Sequence, residues 1–193
     1  MGRISKHQAI NPTLPKGNKL SPIRKGGAKL VIGFIFKEAG IFDKGKSILR
    51  KEFGKIDYES HALAFTHTDY YETEIGKNLK RKFICFEKLI QPQNLAKIKI
   101  TANIIEKKLS RNGLRLINID PGYLDMAKLI LASTKNYKHR IFLDKGIYAE
   151  ITLFFQNKSF TPWEWTYPDY KTADYIRIFN QIREIYANQI KGK

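Results

Sequence analysis

The stretch 118–150, NIDPGYLDMAKLILASTKNYKHRIFLDKGIYAE, holds an Asp-Pro-Gly-Tyr turn and then His139, Arg140 and Glu150 around a tight hairpin. Side chains of these types hold metal ions, clamp phosphates and move protons. With Asp144-Lys145-Gly146 as a three-residue loop and Gly146 left-handed, Leu143 pairs with Ile147. That register sets Phe142 opposite Tyr148 and Arg140 opposite Glu150 on one face, and turns His139 and Ile141 to the other. An Arg–Glu cross-strand pair, worth about 0.2–1 kcal/mol, accounts for the juxtaposition structurally. The functional reading makes Glu150 a metal ligand or general base and Arg140 a phosphate clamp. A carboxylate in the middle of YAEITLFF is costly unless it has a partner or a task, and this keeps the second reading open.

Asp120 before Pro121 fits a helix N-cap followed by proline at the first helical position, a cap worth about 1 kcal/mol. Gly122, a poor helix former, is the competing signal. A residue without a side chain at a helix N-terminus lets an anion approach backbone N–H groups, with Tyr123 placed to stack on it and Lys128 to share the phosphate charge. The segment 65–76, FTHTDYYETEIG, gathers His67, Asp69, Glu72 and Glu74 but matches no metal template, and a capped turn explains a lone His-Asp pair. No lysine occurs from Asp57 through Ile75, so this stretch is acidic in a basic chain. WEWTYPDY at 163–170 holds both tryptophans; it reads as a lid over the core or as a stacking platform for bases through Trp165. The glycines near the first strand form neither a Walker A nor a G-x-G-x-x-G loop, and no G-x-S-x-G elbow or Cys–His pair is present.

The elements that must position these residues follow from pattern. KLVIGFIFK is a buried strand, residues 43–53 a short amphipathic helix closed by Gly54, and IDYESHALAFTHT and KRKFICFEKLI the next two strands. Pro92 opens a helix carrying Leu95, Ile98, Ala102, Ile105 and Leu109, stopped at Asn112-Gly113. LRLINI is a fourth strand. The order β-α-β-β-α-β predicts an α+β fold with a ferredoxin-like core. A C-terminal helix–hairpin–helix extension follows: a helix over 124–133, the hairpin 139–155, and a helix from about Ala173 to Ile190 docking through Ile176, Phe179, Ile182 and Ile185/Tyr186.

The whole chain has 193 residues, with 35 Lys and Arg against 18 Asp and Glu, for a net charge of +17. Such a balance favours polyanionic partners, nucleotide or RNA. Six basic residues and no acid lie in 1–28, among three prolines and a Gly-Gly pair, so this stretch reads as a basic flexible arm ahead of a single α+β domain over 29–193. A single cysteine, Cys85, excludes an intrachain disulfide framework and a multi-cysteine metal site. No apolar run is long enough for a membrane span, and no secretory signal opens the chain, so the cytoplasm is the expected compartment.

Taken in order, FTHTDYYETEIG, LKRKFICFEKLI, NIDPGYLDMAKLILASTKNYKHRIFLDKGIYAEITL and WTYPDY resemble a bacterial family known as domain of unknown function 4416. The resemblance covers about 29–187 and implies a shared fold with no established activity. Glu74-Ile75-Gly76 departs from the glutamate-methionine-glycine usual there, and the arm is an addition.

The expectation that follows is a nucleotide- or RNA-phosphate-binding protein with a metal-assisted hydrolase or phosphoryl-transfer site. Asp120 and Glu150 would be catalytic and, with Asp69 and Glu74, would hold Mg²⁺ or Mn²⁺. Arg140, Lys128 and Gly122 would bind phosphate, and Tyr123 and Trp165 would stack. The alternative is a non-catalytic RNA or ribonucleoprotein binder using the arm and a lysine-rich face over 77–111. A protein partner docking on the aromatic loop 160–170 is a third reading.

Overall fold

A computed structural model of the chain describes residues 27–192. The basic arm therefore lies outside the described residues, except for its last two positions. Ala28 exchanges backbone hydrogen bonds with Ile90, and the Gly27 carbonyl accepts one from the Tyr186 hydroxyl at 2.8 Å.

These residues form a mixed helix-and-strand structure around one antiparallel sheet of nine strands. In chain order the strands are β1 (Lys29–Phe36), β2 (Ile56–Glu59), β3 (Leu63–Ala64), β4 (Lys80–Phe86), β5 (Ile117–Leu124), β6 (Lys128–Ser133), β7 (Ile141–Asp144), β8 (Ile147–Gln156) and β9 (Ser159–Pro162). The helices are α1 (Ala39–Phe53), α2 (Glu72–Ile75), α3 (Leu95–Lys108) and α4 (Ala173–Lys191). The sheet runs β2-β4-β1-β5-β6-β8-β7, with β3 also on β4 and β9 also on β8.

β1 is buried along its whole length, and its alternation sorts the core. Leu30, Ile32, Phe34 and Phe36 point to one face, where they pack with Phe42 and Leu49 of α1 and Ile98, Ala102 and Ile105 of α3. Val31 points to the other, with Phe83, Cys85 and the α4 stripe Tyr175, Ile178, Phe179, Ile182 and Tyr186. The period-2 side-chain pattern of the strand meets period-3.6 stripes of the helices on both sides. Phe179, Ile182 and Tyr186 dock as the α4 spacing predicts, Tyr175 and Ile178 join them while Ile176 and Ile185 are half-buried, and Cys85 is a buried small apolar residue as expected.

Beyond the fourth strand the expectations need correction. Asp120-Pro121-Gly122-Tyr123 is the middle of β5, and the expected helix over 124–133 is the end of β5, a turn and β6. The extension is thus strand, hairpin, strand and helix. The apolar run AKLILAS, seven residues long, fits a strand or a helix turn equally well by periodicity. Two neighbouring strands, β5 and β8, rather than a helix surface, claim it. Proline has no N–H for a ladder. β5 pairs with β1 throughout but with β6 only through Gly122↔Leu131, Tyr123↔Ile130 and Leu124↔Leu129, so the pairing stops one residue short of Pro121. Gly122 permits the close approach there: a Cβ would meet the Ile130 carbonyl oxygen at 2.3 Å.

The hairpin keeps the expected pairs Phe142↔Tyr148 and Ile141↔Ala149. Its loop is tighter than expected. Lys145 and Gly146 both have positive φ, 50° and 75°, and Asp144 pairs with Ile147. That is the two-residue turn whose twist matches the strands, with the extra residue taken up as a bulge between Phe142 and Asp144.

Candidate functional site

Because β5 leaves β6 after three pairs, the sheet opens into a wedge between them. A cavity of about 680 Å³ occupies it, within the range of small-molecule sites. Its walls come from both faces of the sheet. Arg81 of β4 and Asp120 of β5 lie on one side, Lys99 and Glu106 of α3 on the other, with Glu150 of β8 and Asp169 closing it.

Arg81 is the centre of this arrangement. On β4 it shares a face with Phe83, and its guanidinium lies 5.0 Å from that ring and 5.3 Å from Tyr170. To reach Asp120 on β5 it passes over β1 at Gly33, the residue paired with both Phe83 and Asp120. Arg81 is 2% exposed. Its Nη1 donates to Asp120 Oδ2 at 3.4 Å and its Nη2 to the Tyr170 hydroxyl, while Nε is buried without a partner among the described residues. Burial alone would lower its pKa, yet Tyr170, Tyr175, Asp169 and Asp120 around it hold it above the ordinary value. The group is charged.

Asp120 serves two cations. Its Oδ1 accepts from Lys99 Nζ at 3.4 Å, and Lys99 also donates to the Ile119 carbonyl at 2.9 Å. Asn118 Nδ2 donates to Asp120 Oδ2 at 2.6 Å, and Arg115 Nη1 donates to Asn118 Oδ1 at 3.1 Å. Both contacts from cation to Asp120 are long for charge-assisted hydrogen bonds. Glu106, 6% exposed, accepts the Ile119 N–H at 2.5 Å. Burial pushes its carboxyl up, against Lys99, that backbone N–H and Arg115. Asp169 is pushed up by burial as well, against Arg81. Burial therefore draws two wall carboxyls toward their neutral forms, and the cationic side of the wall predominates.

Glu150 is 3% exposed and fully engaged. Its Oε2 accepts from Arg140 Nε at 2.8 Å and lies 3.3 Å from His139 Nε2; its Oε1 accepts from Thr152 at 3.2 Å. Arg140 continues to Ser133 Oγ, the Lys135 carbonyl and the Tyr167 hydroxyl. The expected Arg140–Glu150 pair is present. His139, expected on the opposite face, joins the same carboxylate, because the residue precedes β7 and is free of its alternation.

A family model with the description Domain of unknown function (DUF4416) matches residues 26–186. The chain belongs to this family. No curated protein and no solved structure matches it. Across the DUF4416 chain the expected site residues part into two groups. Asp120 and Glu150 line the cavity, and Arg140 stands behind Glu150. The others lie elsewhere. Lys128 pairs with Asp125 across the β5–β6 turn at 2.7 Å, and Tyr123 packs with Ile130 and Ala132 on the α3 side. Gly122 is mid-strand, so no helix N-terminus is there to receive an anion. Asp69 is exposed, with its carbonyl accepting the Glu72 N–H, and Glu74 is bound to Arg115 at 2.5 Å. Asp120, Glu150, Asp69 and Glu74 are not one ligand set, and the described residues contain no group of three or more His, Cys, Asp or Glu able to hold a metal ion. Trp165 is stacked by Trp163 at 5.0 Å and by His139 at 5.5 Å, so other rings of the DUF4416 chain occupy its faces.

Arg81, Lys99, Glu106 and Asp169 were not singled out from the sequence. The signal existed for the first three. Arg81 falls in phase with Phe83 and Cys85, and Lys99 and Glu106 fall on the apolar stripe of α3. A charge on a buried face is unusual enough to mark. Asp169 carries no such mark; it was absorbed in an aromatic loop.

Proposed function

We propose that the DUF4416 chain binds a small phosphate-bearing molecule of about nucleotide size in the wedge between β5 and β6. The observation that carries this is Arg81: a buried guanidinium on the cavity wall with its Nε–H unpartnered among the described residues and Asp120 shared with Lys99. Buried charge is costly unless its donors are met, and a tetrahedral anion meets them. Arg81 and Lys99 hold the phosphate, with Asn118 and Arg115 beside them. Tyr70 and Tyr167, both on the cavity wall and 53% and 42% exposed, take the stacking role in place of Tyr123 and Trp165. A cavity of this size suits a mononucleotide and not a folded RNA, so RNA contact belongs to the basic arm.

Calorimetric titration with inorganic phosphate, pyrophosphate and mononucleotides tests the reading, with and without Mg²⁺ or Mn²⁺. The wild-type chain is expected to bind at least one of them, and Arg81→Met and Lys99→Met to bind it at least about tenfold more weakly while remaining folded. Binding only with the divalent ion would return Asp120 and Glu150 to the metal-assisted chemistry their types first raised. No binding, or equal binding by both variants, sinks the proposal.

We also read the half β2-β4-β1-β5, with α1 and α3 on one face, as a ferredoxin-like unit, on the strength of its strand order and two crossover helices. The cytoplasm is the compartment that fits a phosphate-ligand protein with a single buried cysteine.

A further inference from the structure

Asp169 has no part in the anion site as described, and its surroundings are unlike those of the other cavity carboxyls. It opens a single 3-10 turn, Asp169–Lys171, directly before α4. It is 6% exposed and lines the cavity. Each of the other three wall carboxyls has a cation within 4 Å. Asp120 has Arg81 and Lys99, Glu106 has Arg115 at 3.8 Å, and Glu150 has Arg140. Among the described residues no ion pair includes Asp169. The groups that face it are Arg81 from β4, His67 from the loop after β3, the backbone N–H groups of Tyr170 and of Asp169 itself, and the hydroxyl-bearing rings of Tyr170 and of Tyr175 from α4. The Tyr170 hydroxyl is taken by Arg81, and the Tyr175 hydroxyl is buried without a partner among the described residues. Burial outweighs Arg81 and raises the carboxyl.

A phosphate held by Arg81 and Lys99 brings negative charge into this wall. An ionised Asp169 would repel it across a medium that screens little. A protonated Asp169 does the opposite, because a carboxylic acid has one O–H to donate. On the anion reading above, we propose that Asp169 meets the bound phosphate as a neutral carboxylic acid, donating its O–H to a phosphate oxygen, so that binding takes up one proton from solvent. Asp169 is then a specificity-determining residue. It ties occupancy to pH and favours oxyanions with an oxygen to spare after Arg81 and Lys99 are satisfied. The proton balance is closed: one carboxylate and one solvent proton become one carboxylic acid, with no bond of the ligand made or broken.

The test is calorimetric titration of the full chain in pairs of buffers with different ionisation heats, between pH 5 and 9. The probes are a mononucleotide and inorganic sulfate, the latter ionised throughout. Wild type is expected to take up close to one proton per anion, with affinity falling by up to about tenfold per pH unit above the Asp169 titration. Asp169→Asn keeps a donor but has nothing to titrate; it is expected to bind with no uptake and a flat profile. His67→Gln removes the imidazole that faces Asp169 and is expected to keep the uptake. Anion binding without proton uptake in wild type, or the same uptake in Asp169→Asn, overturns the role of Asp169 alone. With the mononucleotide the second result would put the proton on the ligand, and with sulfate on another group of the protein. Loss of uptake in His67→Gln would move the role to that histidine. Failure of every anion to bind overturns the cavity reading, and this inference with it.

Discussion

Arg81 reaches Asp120 across a strand because Gly33 has no side chain between them; a Cβ there would stand 2.9 Å from Nη2 and 3.1 Å from the Phe83 ring. Gly33 is not in the left-handed region, so an alanine strains no backbone and acts through the guanidinium and the Phe83 ring beside it. Gly33→Ala is expected to leave the chain folded, costing about 1–2 kcal/mol in urea titration, and to weaken phosphate binding severalfold by calorimetry. Asp169 gives a second residue-scale expectation. A carboxyl whose pKa is higher folded than unfolded holds its proton more tightly in the folded chain, so stability falls as pH rises from the ordinary value of 3.8 through the raised one. Asp169→Asn removes that loss. Its urea midpoint should exceed wild type at neutral pH, and the gap should close as pH drops below 3.8. Equal midpoints at neutral pH would mean that the burial of Asp169 carries no cost. At this scale Asp120, Arg140 and Glu150 are legible in the sequence because their types stand out in an apolar stretch. The roles of Arg81 and Lys99 are not legible there, since the groups they bond lie twenty or more residues away in the chain.

The β5–β6 unit is the element that was misread, and the reason is local. Asp-Pro-Gly is a helix-opening signal in the chain's own terms, and AKLILAS is rich in helix formers. The pairing of β5 with β1 and of β6 with β8 overrides both preferences. By contrast β1, α1, β4, α3 and α4 were legible, since each has a long periodic run or a clear stop such as Gly54. Gly122→Ala should show what the unit depends on. Its Cβ would overlap the Ile130 carbonyl and stand 2.7 Å from Leu131 Cδ2, so a loss of about 2–4 kcal/mol in urea titration is expected. The β7–β8 turn gives an opposite case. Lys145 holds φ of 50° with no glycine or asparagine to ease it, and Lys145→Asn should raise stability by about 0.5–1 kcal/mol. An unchanged midpoint would show that this turn carries no strain.

For the whole molecule, the excess of positive charge and the cavity make separable claims. Removing residues 1–26 should leave phosphate or mononucleotide affinity within about twofold, since described residues between Ile35 and Tyr170 build the cavity wall. The same truncation should lower RNA affinity and flatten its dependence on salt, by up to one counterion for each of the basic residues lost. Among the described residues no helix is long and apolar enough to cross a membrane. The ordering of the sheet has a mechanical consequence. β2, β4, β1 and β5 form one plate, and β6, β8 and β7 another, stitched by the pairs 122–131, 123–130 and 124–129. α3 touches strands of both plates, and α4 runs beneath both. Pulled apart across that seam the protein should yield first at the stitches, with the two helices as splints, and a molecule lodged in the wedge would set the angle at which the plates rest.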